Sequence, residues 1–240
     1  MDHVITPVAV YRGDFPDKFG IPRQAGIVPA LEGLVVFEPA FRDAAALRGL
    51  EGFERVWLIW QFSENLRGGF QPTVRPPRLG GNRRLGVFAT RSPFRPNALG
   101  LSCVELRGLE ERPGLGTVLR VRGADLMDGT PIFDVKPYLP YADAWPDARA
   151  GFAPDAGGEL AVELEPELEE RIPPEKRDAL RAVLARDPRP RYQDDPERVY
   201  AMRFAGCEVR FTADENTLRV TEILPRRREK RGKSRDHSLL

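Results

Sequence analysis

At 240 residues, with 41% hydrophobic and 30% charged side chains, the chain can bury a core of one large domain, or one domain with a small companion. A net charge of +1 excludes a bulk field for nucleic acid or membrane, and no apolar run approaches 18 residues. Only His3 and His237 are histidines, both near the termini, which argues against a Ser-His-Asp or Cys-His hydrolase and a His-ligated zinc site. Neither GxGxxG nor GxxxxGK[ST] is present, so the usual dinucleotide and P-loop readings fail. No metal is expected. Cys103 and Cys207 lie far apart in apolar, strand-like runs and read as buried free thiols in a reducing cytoplasm. The start has no signal-peptide architecture.

Taken in order, residues 4–11 read as a first strand, followed by a loop rich in proline and glycine around Arg23 and Gln24. Residues 33–37 are a second strand. Residues 39–50 have helix-forming composition, with Gly52 placed as a stop. FERVWLIWQF, residues 53–62, is the strongest apolar run and reads as a central strand ending in Ser63-Glu64-Asn65. Residues 85–90 are a short β-prone run, long enough for a buried strand. Strands are also expected at 101–109 and 117–121, joined by a turn at Pro113-Gly114, and at 132–135. Short strands at near-regular spacing indicate an all-β barrel or sandwich.

Residues 144–158 have linker composition. Beyond them a helix at 174–186 and strands at 200–204, 207–212 and 218–223 make a small α+β unit. The organisation expected is therefore a domain over 1–145, a linker over 146–158, a second domain over 159–225 and a basic tail over 226–240. The tail carries seven basic residues against two acidic ones, reads as disordered and weakly supports RNA contact.

Residues 76–102 organise the rest. Arg91, Arg95 and Asn97 stand on a loop stiffened by Pro93 and Pro96, directly after a β-prone run. Upstream, Arg75, Arg78, Arg83 and Arg84 flank a Gly80-Gly81 turn, so six arginines fall within 21 residues. Fork-shaped donors on a stiff loop suit a phosphate or carboxylate; a solvated Arg-rich loop fits the same residues. Four polar segments share a place at strand ends: Arg23-Gln24, Ser63-Glu64, Arg91 to Asn97, and Asp125 to Asp128 with Asp134, Lys136 and Tyr138 following. In a barrel such ends gather at one mouth; in another arrangement they are unrelated loops.

The motifs FxxPRQxG at 19–26, RPPRLGGN at 75–82, GVFATRSPFRPN at 86–97 and DGTPxxDxKPYLP at 128–140 resemble the TrmO family of S-adenosylmethionine-dependent tRNA N6-methyltransferases. The likeness runs in order over about residues 4–143, and DPRP at 187–190 resembles the family's smaller C-terminal region. It implies a mainly β fold: a single-sheeted β-barrel methyltransferase domain with a small α+β C-terminal domain, working as a homodimer. The implied substrate is N6-threonylcarbamoyladenosine beside the anticodon of a threonine tRNA, methylated on N6.

By position, the implied S-adenosyl-L-methionine pocket takes in Arg23, Gln24, Ala25, Ser63, Glu64, Arg91, Leu101, Arg122, Gly123, Ala124 and Asp125. A histidine-glutamine pair stands in some family members where this chain has Ser63-Glu64. Arg78, Arg83, Arg84, Arg95 and Lys136 are candidates for the tRNA anticodon stem-loop. The acceptor nitrogen is urea-like and must lose a proton; Asp134 or Tyr138 are candidate bases, with Lys136 and Asn97 beside them in the reacting set. Asp134 and Lys136 also suit a structural ion pair, and Tyr138 a core aromatic. Two rivals remain at this level: a non-enzymatic module that binds S-adenosylmethionine or RNA, and a methyltransferase for a small carboxylate-bearing acceptor.

Overall fold

Alternation along the strongest apolar run sets the architecture. Within Arg55–Gln61, Val56, Leu58 and Trp60 are buried while the residues between them are not, which is how a strand with one face on a core behaves. The computed structural model describes residues 3–80, 82–190 and 195–225. Its elements run β1 (Ala9–Arg12), β2 (Glu32–Phe37), β3 (Arg55–Gln61), β4 (Thr73–Val74), β5 (Leu85–Gly86), β6 (Leu99–Arg112), β7 (Gly116–Arg122), β8 (Pro131–Pro137), α1 (Pro140–Asp143), β9 (Ala161–Glu163), α2 (Pro166–Glu169), α3 (Arg177–Ala185), β10 (Tyr200–Phe204), β11 (Cys207–Ala213) and β12 (Thr217–Pro225).

Six strands close on themselves in the order β1-β2-β7-β6-β3-β8, every pair antiparallel. Closure comes from β8, which pairs with β3 along one edge and with β1 along the other through Ala9 and Ile132. The ring leaves no unpaired edge. Val35, Val56, Leu58, Val104, Leu119, Val121 and Ile132 fill its interior. A second sheet, β10-β11-β12-β9, is antiparallel except for the β12–β9 pair. On α3, Ala179, Leu180, Val183 and Leu184 form the apolar stripe that a 3.6-residue period places on one face. These four belong to the cluster formed with the second sheet.

That cluster also takes in Phe15, Val28 and Leu31 from the loop between β1 and β2. Phe15 meets Phe204 edge to face at 5.3 Å, Ala205 N–H donates to the Asp14 carbonyl, and Lys176 Nζ stands 2.8 Å from Asp14 Oδ2. One loop thus serves the ring and the second sheet together. The stretch 146–158 is irregular chain, tied back by an ion pair between Arg78 and Asp155.

Several local expectations change. The first strand begins at Ala9, and Val4 and Ile5 are exposed: Val8 N–H pairs with the Ile132 carbonyl, and Pro7 just before it has no N–H to carry the ladder further. Residues 39–50 do not form one helix. They break into three 3₁₀ turns, since the Asp43 carboxylate caps Ala45 N–H and restarts the chain, and Gly49 takes a left-handed φ of 88°. Residues 85–90 are not a buried strand: β5 is two residues long, pairs only with β4, and passes into a 3₁₀ turn in which Val87 alone is buried. Cys207 is buried as expected, but Cys103 is half-buried on the outer face of the ring, opposite Trp57. Strand β9 was absent from the sequence reading. The basic tail at 226–240 and Gly81 lie outside the described residues. Among those residues no helix is long and apolar enough to cross a membrane.

Candidate active site

A cleft of about 600 Å³ opens where β3 ends and β6 begins. Its wall is built from Ile59 and Trp60 on β3, Phe62 just beyond its end, and Leu99, Gly100 and Leu101 on β6. Trp60 faces Gly100 across the pair, and a Cβ at residue 100 would lie 2.3 Å from the indole ring, so only glycine lets the ring settle there. Trp60 Nε1–H donates to Ser102 Oγ at 2.9 Å, and Ser102 O–H donates to Asp125 Oδ1 at 2.5 Å. Ser102 is buried, so this relay holds the Asp125 carboxylate in one place at the cleft. Burial pushes the Asp125 carboxyl above the ordinary range. The Ser102 hydroxyl, backbone amides of Asp125 and Ala25, and the Arg91 charge oppose that shift.

The opposite wall comes from the β1–β2 loop. Arg91 donates to the Gln24 Oε1, which ties the Pro-stiffened loop to the Arg23-Gln24 turn. Arg23 donates to the Arg189 carbonyl at 3.2 Å. Arg189 is itself fixed by Asp187 and by the carbonyls of Ala213 and Asp214, so the second sheet buttresses this rim. Gly123 crosses the same turn: Gly26 N–H donates to its carbonyl at 2.8 Å. With φ of 73° and a Cβ position 3.3 Å from Gly26 Cα, residue 123 needs glycine for the backbones to meet. Within the 90–95 loop, Arg95 Nη1 donates to the Val87 and Thr90 carbonyls at 3.2 and 2.7 Å, folding the loop around its own guanidinium.

Of the residues singled out in the sequence, Arg23, Gln24, Ser63, Glu64, Arg91, Arg95, Leu101 and Asp125 line this cleft. Ala25 approaches it through its backbone amide, and Gly123 supports it from behind. Ala124 is buried in the ring core, while Arg122 pairs with Glu32 at 2.9 Å on the ring's outside. Asn97 is exposed in the turn before β6 and does not line the cleft. Asp134 and Lys136 lie within β8 on its outer face, and Tyr138 follows the strand. Asp134 lies opposite Ile59, and Lys136 opposite Trp57. Lys136 Nζ pairs with Asp134 Oδ2 at 2.9 Å, both side chains largely in solvent, and the Tyr138 ring tilts against Trp57. Arg78 is held by Asp155, Arg84 donates to Thr73 Oγ1, and Arg83 and Arg84 are exposed. Trp60 and Ser102 escaped the sequence reading. The available signal was a serine at an inward position of an otherwise apolar strand.

Two family comparisons decide the kinship. Residues 10–144 match the tRNA-methyltransferase O N-terminal domain and residues 158–226 the TrmO C-terminal domain. The chain belongs to the TrmO family. A relative from Escherichia coli (strain K12), the tRNA (adenine(37)-N6)-methyltransferase, is 40% identical over 228 residues, covering 91% of this chain and 97% of the relative. A putative S-adenosylmethionine-dependent methyltransferase, RcsF, from Pseudomonas aeruginosa (strain PAO1) is 42% identical, covering 88% and 93%. The crystal structure of TrmO from Pseudomonas aeruginosa superposes with a TM-score of 0.76 at 35% identity, over 93% of this chain and 98% of that one. This TrmO chain is therefore an enzyme, an S-adenosylmethionine-dependent tRNA (adenine-N6)-methyltransferase by family.

The cleft residues fit that cofactor. A cationic molecule with a flat adenine suits a buried carboxylate beside apolar side chains, and Asp125 with Ile59, Trp60, Phe62, Leu99 and Leu101 supplies both.

Proposed function

We propose that the protein transfers a methyl group from S-adenosylmethionine to N6 of N6-threonylcarbamoyladenosine at position 37 of a threonine tRNA, acting as a cytoplasmic homodimer. The observation that carries this reading is the pairing, in one cleft, of a buried carboxylate with an arginine-lined rim formed by Arg23, Arg91 and Arg95. The carboxylate suits the cationic donor. The rim suits an acceptor that carries a threonyl carboxylate beside RNA phosphates.

When bound, the donor supplies an electrophilic methyl group on a sulfonium sulfur. Asp125 holds the positive end of the donor, Ser102 fixes the carboxylate rotamer, and Trp60 fixes Ser102. Ile59 and Leu101 exclude water from the wall. The forks of Arg23 and Arg91 bind the threonyl carboxylate and so set the acceptor nitrogen in line, the arrangement from which most of the rate derives. That nitrogen must lose a proton. Asp134 is next to Ile59 in register and therefore borders the wall on the β8 side; it takes the proton, with Lys136 orienting its carboxylate. Arg78, Arg83, Arg84 and Lys136 contact the anticodon stem-loop.

The test is a methyl-transfer assay with two tRNA pools, one carrying the threonylcarbamoyl group and one lacking it, read by nucleoside mass spectrometry. Product only from the modified pool is expected. Product from both pools, or from free carboxylate-bearing acceptors with little salt dependence, contradicts the proposed substrate.

A further inference from the structure

Phe88 is out of place by the logic of the fold. Its neighbour Val87 is 1% exposed and anchors the 3₁₀ turn, yet the Phe88 ring is 71% exposed and belongs to neither hydrophobic cluster. The ring nevertheless has a charged partner. The Arg95 guanidinium lies 5.5 Å from its centroid, and Arg95 is itself held by two carbonyls of the same loop, Val87 and Thr90. Arg95 also lines the cleft, so the ring sits on the far side of a cleft-wall side chain. The cleft has its own aromatic residues in Trp60 and Phe62, and Phe88 is not among its lining, which separates the ring from the methyl donor.

The chemistry around the ring chooses the occupant. Exposed Arg83, Arg84 and Arg91 are the charged neighbours of Phe88 in the chain, on the β5–β6 segment and the hairpin leading to it, chemistry suited to an RNA backbone and poorly suited to an apolar protein patch. Proteins that read unpaired RNA bases stack them on exposed aromatic rings, and an arginine over one face of such a ring is attracted to it and leaves the other face for a base. We propose that Phe88, backed by Arg95, is the platform on which a base of the anticodon loop next to the target adenosine stacks. This rests on the tRNA reading above and adds to it a specific contact outside the cleft.

Three full-length variants test it: Phe88→Ala, Phe88→Leu and Phe88→Trp, each assayed for S-adenosylmethionine affinity by calorimetry, for KM and kcat with modified anticodon stem-loop RNA, and for mass by light scattering. Leucine keeps apolar bulk but removes the π-face. Phe88→Ala and Phe88→Leu are expected to raise the RNA KM about tenfold or more, the scale on which loss of a stacking aromatic weakens single-strand binding. Donor affinity and kcat at saturating RNA stay within about twofold on the same reasoning. Phe88→Trp retains activity, and its added fluorescence is quenched by the RNA. A Phe88→Leu enzyme with the wild-type KM overturns the platform. A change of oligomeric mass in Phe88→Ala does so too, by assigning the ring to a subunit contact. A wild-type protein that neither binds nor methylates the RNA overturns the tRNA reading, and this inference with it.

Discussion

The cleft and the outer face of β8 lie on either side of one residue, Ile59, yet they are built by different means. The cleft is assembled from strand ends and loops: residues from 23 to 125 meet there, tied by Arg91–Gln24, Ser102–Asp125 and Arg23–Arg189. The β8 face is assembled by the register of β8 against β3, with its shift at Ile59/Trp60, which brings Asp134, Lys136 and Trp57 onto one surface. The first buries its carboxylate and aims it; the second leaves its carboxylate paired and mostly in water. Holding a cationic cofactor requires the first kind of site, and a proton acceptor that must exchange with solvent can belong to the second.

If the two regions divide the labour, substitutions should separate binding from turnover. Asp134→Asn is expected to lower kcat by about 100-fold, within the range for loss of a general base, while donor affinity measured by calorimetry is unchanged. A fall in donor affinity instead would merge the two regions into one site, and near-normal turnover would remove Asp134 from the chemistry. Asp125→Asn should do the reverse. Loss of a buried charge partner costs about 2–5 kcal/mol, so donor affinity drops by about 30-fold or more with the fold intact by circular dichroism.

The same residue sets a pH dependence. Because burial raises the Asp125 carboxyl, it takes up a proton at a higher pH than an ordinary aspartate. Donor affinity of the wild type should therefore begin to fall, as pH is lowered, above the usual carboxylate range, whereas Asp125→Asn stays flat over that window. Ser102→Ala leaves the Trp60 indole N–H and the carboxylate without their shared partner, and is expected to weaken donor binding by about tenfold, an unsatisfied buried group costing about 1–3 kcal/mol. The smallest effect falls on stability. Gly100→Ala drives a methyl into the Trp60 ring, an overpacking of about 1–3 kcal/mol that should lower Tm by several degrees in a scanning calorimeter.

Much of this layout was legible in the sequence, for reasons that differ by element. The run at 53–62 announced β3 because apolar residues at every second position bury one face whatever the partner. Arg23-Gln24, Ser63-Glu64, Arg91 and Asp125 do gather in one cleft, but of these only Ser63-Glu64 and Asp125 stand near strand ends; Arg23-Gln24 sit within the β1–β2 loop and Arg91 follows a 3₁₀ turn. Residues 39–50 misled because helix-forming composition says nothing of Asp43 capping a new turn or of the left-handed Gly49. Residues 85–90 misled because a β-prone run needs a partner strand, and only two residues of β4 were at hand. The face on which Asp134 and Lys136 emerge depends on the register of β8 against β3, including its shift at Ile59/Trp60, and no local signal carries that. Contacts such as Arg23 to Arg189, 166 residues apart, exist only once the loop at 13–31 has packed against the second sheet.

The central claim is that the strand-end cleft holds the methyl donor. A crystal structure of the protein with S-adenosylmethionine tests it most directly. The account predicts the donor between the Trp60–Phe62 and Leu99–Leu101 segments, with its positive end against Asp125. Donor bound instead on the outer face of β8, against the Asp134–Lys136 pair with the cleft empty, would contradict it.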